Sequence, residues 1–233
     1  MTEEAERNVL LSGIVGSHAY GLATEDSDTD RLGVFAYPTL EMLGIHPRDD
    51  SVVRTAPDVT FHEARKFISL ALKANPTITE LLWLPDELYE TRTPLGDRLI
   101  GIRQSLLSAP LVRNAYLGYA TQQFRRLESR SEEGNHSFSS DTKKRTAKHA
   151  RHLLRLLIQG MFLYEDGKLD VRVDNPAMYH RFGEQVAAGD LQAAKDEISS
   201  AERWIDSIPP ALPEKPDYAA AEEWLLDVRK EFW

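Results

Sequence analysis

The sequence predicts an α+β protein: a small mixed β-sheet core flanked by helices over residues 1–96, followed by a mainly helical domain over residues 97–233. Three observations carry this reading. The first hundred residues interleave runs of β-formers with short amphipathic stretches of helical spacing. From about residue 97 the three-four spacing of helices takes over. A chain of 233 residues, 42% hydrophobic and 28% charged, is long enough to bury a sizeable core in one compact domain or two small ones.

The elements follow in order. Asn8 to Val15 reads as the end of a helix or a short strand, its apolar residues grouped as Val9-Leu10-Leu11 and Ile14-Val15 until Gly16-Ser17 interrupts the run. Arg31 to Tyr37 is rich in β-formers and reads as a strand. Leu43 to Asp50 is a loop containing Pro47, and Ser51 to Phe61 is a strand broken or bulged at Pro57. Glu63 to Ala74 is a helix with Ala64, Phe67, Ile68 and Ala71 at helical spacing. Asn75-Pro76 ends it and starts another, where Thr77-x-x-Glu80 fits a capping box and makes Glu80 a cap.

Beyond the proposed boundary, Arg98 to Leu107 and Val112 to Leu127 are helices, and Ser129 to Asp141 is a polar loop. Lys143 to Tyr164 is a helix with Ala147, Ala150, Leu154, Leu157, Ile158 and Met161 on one side and a basic stripe of Lys144, Lys148, Arg151, His152 and Arg155 on the other. Leu169 to Val173 alternates as a short strand. Gly183 to Ile208 makes one or two helices interrupted at Gly189-Asp190, and Pro209 to Pro216 is a linker. Tyr218 to Trp233 closes the chain as a helix that docks through Trp224, Leu225 and Val228.

Composition excludes several functions. The absence of cysteine removes disulfides and thiolate metal sites together. The opening Met1-Thr-Glu-Glu-Ala-Glu is acidic where a secretory leader is basic, and no apolar run is long enough to span a bilayer, so a cytoplasmic location without membrane contact is expected. A net charge of −9 argues against broad coating of DNA or other nucleic acid.

Chemistry concentrates in Gly16-Ser-His-Ala-Tyr-Gly-Leu-Ala-Thr-Glu-Asp-Ser-Asp-Thr-Asp30. Asp26, Asp28 and Asp30 look like ligands for a hard cation, but the calcium loop they suggest fails. Its sixth position, a glycine, is Arg31 here, and its twelfth, a bidentate glutamate, is Tyr37. A strand leaving the aspartates fits better. Residues two apart on a strand share a face, so Asp28 and Asp30 project together and suit a Mg²⁺ pair, with Asp26 a loop residue. Gly16 lets a ligand approach the backbone, and the Ser17 hydroxyl and N–H offer contacts to phosphate oxygens. After Pro57, Asp58, Thr60 and His62 share one strand face, which brings Asp58 toward Asp28 and Asp30 from a neighbouring strand; His62 is a substrate contact or a structural histidine.

Gly16-Ser17 followed by Ser27-Asp28-x-Asp30 at the head of an apolar strand resembles the signature of the DNA polymerase β nucleotidyltransferase superfamily. More narrowly, it resembles a family of nucleotidyltransferases predicted in bacteria and phages. The resemblance continues in Asp58-Val-Thr-Phe-His-Glu, in Asn75-Pro-Thr-Ile-Thr-Glu-Leu-Leu-Trp, in Lys148 with His152-Leu-Leu-Arg155, and in Leu212-Pro-Glu-Lys-Pro-Asp. It implies a polymerase β-like core with the helical domain closing a nucleotide cleft. It also implies two Mg²⁺ ions (or Mn²⁺) on Asp28, Asp30 and Asp58, with Asp58 also a proton acceptor. The nucleoside triphosphate, ATP among the candidates, would lie against Gly16 and Ser17, with Lys148, His152 and Arg155 as the inward members of the basic stripe. The activity implied is transfer of a nucleoside monophosphate to a hydroxyl, with release of pyrophosphate. The acceptor is left open among an RNA end, a protein hydroxyl and a small molecule, and the oligomeric state stays open. A second reading is a catalytically silent nucleotide-binding module, regulatory or antitoxin-like.

Overall fold

The computed structural model describes residues 8–25, 27–46, 48–133 and 140–233. Val9–Val15 is a strand, β1, buried along most of its length on both faces. That double burial is why its apolar residues run together instead of alternating, which left helix and strand undecided from the sequence. Ser17–Tyr20 is a single helical turn, α1, and β2 is Asp30–Phe35. A short turn α2 at Thr39–Met42 leads to β3 at Ser51–Thr55 and β4 at Asp58–Glu63. The strand expected over Ser51 to Phe61 is therefore an antiparallel hairpin, folded at the cis Ala56-Pro57 bond. Helices α3 (Ala64–Ala71) and α4 (Pro76–Leu82) follow, then β5 (Tyr89–Arg92) and α5 (Pro94–Gly101).

Among the described residues these strands form one five-stranded mixed sheet in the order β3-β4-β2-β1-β5. Only β2 and β4 run parallel; the other neighbours are antiparallel. The helices α3 and α4 close the core with Phe67, Ile68, Ile78, Leu81 and Leu82, all at 5% exposure or less. The fold is the mixed α+β arrangement that the sequence predicts.

The chain divides into two compact units, and the division differs from the 96/97 boundary. The first unit runs to Ser108 and takes back Pro213–Trp233; the second is Ala109–Leu212. The physical reason lies in the final helix, α10 (Tyr218–Glu231), which packs on α3 and α5. Trp224 and Val228 are buried there, and the Trp224 indole N–H donates to the Leu95 carbonyl at 2.9 Å. Leu225, expected to dock with them, is only half-buried. Arg229 reaches the carboxylate of Glu63, 1% exposed, at 2.7 Å, while the other oxygen of Glu63 caps α3 at the Arg65 N–H. Replacing Arg229 by Met strands a buried carboxylate, so we expect a loss on the order of 3 kcal/mol in the first unit, read from urea unfolding. A midpoint unchanged from wild type would show that Glu63 needs no partner.

The second unit holds α6 (Ala109–Glu133), α7 (Ser140–Asp166), α8 (Pro176–Ala187) and α9 (Leu191–Ser207), with α7 packed against the other three. The polar loop expected over 129–141 is narrower: its ends belong to α6 and α7, and residues 134–139 lie outside the described residues. So do Asp26, Pro47 and the acidic N-terminal residues. Leu169 to Val173 does alternate in burial, but among the described residues it is no strand. Its backbone is held by a side chain instead, since Gln159 donates to the carbonyls of Asp170 and Val171, each at 3.0 Å.

Candidate active site

The site in the first unit starts from strand register. Val15, the last residue of β1, pairs with Asp30, the first of β2. In the parallel pair, Arg31 lies opposite Val59 and Leu32 opposite Thr60. One step back along both strands sets Asp30 opposite Asp58, on one face at one end of the sheet. Asp28 sits in the segment ahead of β2 rather than on the strand. The strand that would set Asp28 and Asp30 on one face thus begins only at Asp30, and strand pairing couples Asp30 with Asp58. Asp28 and Asp58 are exposed and Asp30 half-buried.

Two hydrogen bonds between Thr24 and Ser27 fix the chain just ahead of Asp28. The Thr24 N–H donates to Ser27 Oγ at 2.8 Å and the Ser27 N–H to the Thr24 carbonyl at 2.9 Å. The His18 ring Nε2 stands 3.3 Å from the Ser27 carbonyl, tying this turn to α1.

Gly16 turns the chain out of β1 with φ 72 and ψ −150, a region open in practice only to glycine. The reason for glycine here is also spatial: a Cβ at this position would stand 2.2 Å from Asp30 Oδ2. The Asp30 carboxylate lies against the bare Cα of Gly16, so the Gly-Ser elbow and the aspartate strand form one site. The Gly16 N–H itself is not directed to a ligand; it donates to Glu80 Oε1 at 2.8 Å. The room left by the missing Gly16 side chain is taken by the Asp30 carboxylate.

Glu80 is a correction to the sequence reading. The helix α4 is capped by Asn75, whose Oδ1 accepts from the N–H groups of Thr77 and Ile78. Glu80, 2% exposed, turns from its own helix and also accepts from the Tyr20 hydroxyl at 2.5 Å. The available signal was a charged residue inside the apolar run Ile78-Thr-Glu-Leu-Leu-Trp, and Tyr20 gave none.

His62 shares the face of Asp58 but sits four residues along β4, about 13 Å away at the usual strand rise. Its Nδ1 pairs with Ser51 Oγ at 2.8 Å, and burial, then Lys66, push its pKa below the usual histidine value. The structural alternative holds for it.

In the second unit the basic stripe of α7 changes character along its length. Lys144 and Lys148 are exposed, His152 is half-buried and Arg155 is 3% exposed. Arg155 donates to Gln159 Oε1 and, at 3.0 Å, to His152 Nδ1. Arg155 is therefore an interior anchor of the Gln159 network rather than an open cation, and Lys148 is the accessible member of the predicted trio. Burial first, then the charge of Arg155, lower the His152 pKa from 6.5 to about 2, leaving a neutral ring that accepts the arginine proton. The unfolded chain gains a proton below about pH 6.5 that the folded chain refuses, so this stability is present above that pH and lost toward about 2. Between pH 6.5 and 5 wild type should lose about 2 kcal/mol more than His152→Gln, at about 1.4 kcal/mol per unit. Equal losses in urea unfolding would mean that His152 titrates normally.

Carboxylate oxygens suit a hard divalent cation such as Mg²⁺, and register gathers Asp30 and Asp58 at one sheet end, so donor chemistry and placement fit such an ion. Among the described residues, no group of three or more His, Cys, Asp or Glu is close enough to hold a metal ready-made.

Residues 1–203 match the family described as the RNA repair pathway DNA polymerase beta family. The chain belongs to this family. It is accordingly a polymerase β-like nucleotidyltransferase, a transferase, as the Gly16-Ser17 and Asp28-x-Asp30 resemblance implies. No curated protein matches the chain. A solved nucleotidyltransferase-like protein from Exiguobacterium sibiricum is similar over 98% of this chain and 76% of its own, at 15% identity and a TM-score of 0.25. Among the described residues, no helix is long and apolar enough to cross a membrane.

Proposed function

We propose that this family member transfers a nucleoside monophosphate from an NTP to the hydroxyl of an RNA end, releasing pyrophosphate. One observation carries the reading: the Asp30 carboxylate packs against the Cα of Gly16 while strand register sets Asp30 beside Asp58. Elbow, strand carboxylate and neighbouring carboxylate thus meet at one sheet end. The family description, RNA repair, supports RNA over protein as acceptor.

In this mechanism the acceptor oxygen bonds to the α-phosphorus as the bond from that phosphorus to the β-bridging oxygen breaks. Asp58, exposed at the head of β4, takes the hydroxyl proton, and the electron pair of the broken bond leaves on pyrophosphate. The Ser17 hydroxyl donates to a phosphate oxygen, and Gly16 keeps side chains out of the approach. Asp30 and Asp58 would hold Mg²⁺, or Mn²⁺ on the same oxygens, and Asp28 would join them as ion and nucleotide bind, since among the described residues no three carboxylates stand ready-made. Mg²⁺ bound there supplies neutralisation of triphosphate charge.

The test offers each α-labelled NTP with Mg²⁺ to the protein and an RNA ending in a free 3′-hydroxyl. Label in the RNA is expected. Label that appears only in protein from an added cell extract would reassign the acceptor.

A further inference from the structure

The carboxylate of Glu80 is buried at 2% exposure and holds the Gly16 N–H and the Tyr20 hydroxyl, groups 64 and 60 positions away in the chain. Asn75 already caps α4. Taking a carboxylate out of water is costly, and the two bonds are what offset that cost. Its two oxygens bracket one segment. Oε1 accepts from the Gly16 N–H at 2.8 Å and Oε2 from the Tyr20 hydroxyl at 2.5 Å. Between these points the backbone closes on itself, with Tyr20 N–H to the Gly16 carbonyl at 3.1 Å and Leu22 N–H to the Ser17 carbonyl at 2.9 Å. These bonds close the segment into one compact turn. On its far side the Gly16 Cα leaves only the room that Asp30 Oδ2 fills.

We propose that Glu80 is a positioning residue for nucleotidyl transfer: its carboxylate holds the Gly16–Tyr20 elbow at the spacing that sets Ser17 and Asp30 against the reacting phosphates. Glu80 touches neither nucleotide nor acceptor. It acts through the Gly16 amide, and its removal lets the elbow relax away from the aspartate strand. The inference rests on the transfer activity proposed above.

The test compares Glu80→Ala, Glu80→Gln and Tyr20→Phe in the full chain, by steady-state transfer to RNA and by amide hydrogen exchange over the peptide containing Gly16. Glutamine keeps an oxygen for the Gly16 N–H, and its amide can donate to the Tyr20 oxygen, so Glu80→Gln should stay within about tenfold of wild-type kcat. Glu80→Ala should lose about 100-fold in kcat with KM within a few-fold, the scale expected from a misplacement near 1 Å. Tyr20→Phe, which breaks one of the two bonds, should fall between them. The Gly16 amide should exchange faster in Glu80→Ala and stay protected in Glu80→Gln. A Glu80→Ala protein with wild-type kcat overturns the inference and leaves the transfer reading standing. So does Glu80→Gln as impaired as Glu80→Ala, because the bonds would then not be what matters. If Glu80→Ala does not fold, the Glu80→Gln and Tyr20→Phe pair decides by the same ordering. Absence of transfer by the unaltered chain removes the reaction itself, and the positioning role with it.

Discussion

Asp30→Asn should reduce transfer by about 100- to 1000-fold, the loss typical when one preorganised charge contact is removed from a transition state. Asparagine has nearly the same volume, and Asp30 is half-buried at the first position of β2, so the ladder with Val15 survives the exchange. Circular dichroism and the melting temperature should stay close to wild type. Asp28→Asn should show a similar loss from its place ahead of the strand. Asp58→Asn should differ in kind: nucleotide binding persists while the chemical step fails, because Asp58 is assigned the acceptor proton. Near-full activity of Asp30→Asn with Mg²⁺ would remove the central carboxylate from the account.

Gly16→Ala should be nearly as damaging, although no charge changes. Two costs combine. The backbone at φ 72 and ψ −150 is strained for any residue with a Cβ, by about 1–3 kcal/mol. The added methyl would also stand 2.2 Å from Asp30 Oδ2, so either the elbow or the carboxylate has to move. Transfer should fall at least 100-fold, and Gly16→Val should be worse still. Gly21→Asn is the control. Gly21 has φ 74 and ψ 23, a left-handed conformation that asparagine tolerates. Its activity should remain within a few-fold of wild type. Equal transfer by wild type and Gly16→Ala would show that the contact with Asp30 carries no catalytic weight.

What the sequence made legible follows from the range of each interaction. Gly16, Ser17, Asp28 and Asp30 were readable because chemistry and chain order coincide within fifteen residues. The partnership of Asp30 with Asp58 was half-readable: alternation predicts the face of Asp58, but parallel pairing with β2 is a choice of topology that period-two patterns do not encode. Glu80 was misread because a local capping box was available for it, and a local signal outcompeted a bond to a residue 64 positions away. The basic stripe of α7 misled for a related reason. Helical spacing correctly groups Lys148, His152 and Arg155, yet says nothing of how a helix end in water becomes a helix centre under three neighbours. The last helix shows the same limit at larger scale. Its amphipathic pattern predicts docking through Trp224, Leu225 and Val228, but long-range contacts such as Glu63–Arg229 and Trp224–Leu95 are what place it in the first unit.

The most direct measurement is the ratio of pyrophosphate released to α-labelled nucleotide incorporated, taken with Mg²⁺, each NTP and an RNA bearing a free 3′-hydroxyl. Direct displacement at the α-phosphorus predicts one pyrophosphate for each nucleotide added, with both signals lost in Asp30→Asn. Release of inorganic phosphate, movement of a γ-label to the acceptor, or nucleotide binding with no turnover under any of these conditions would contradict it.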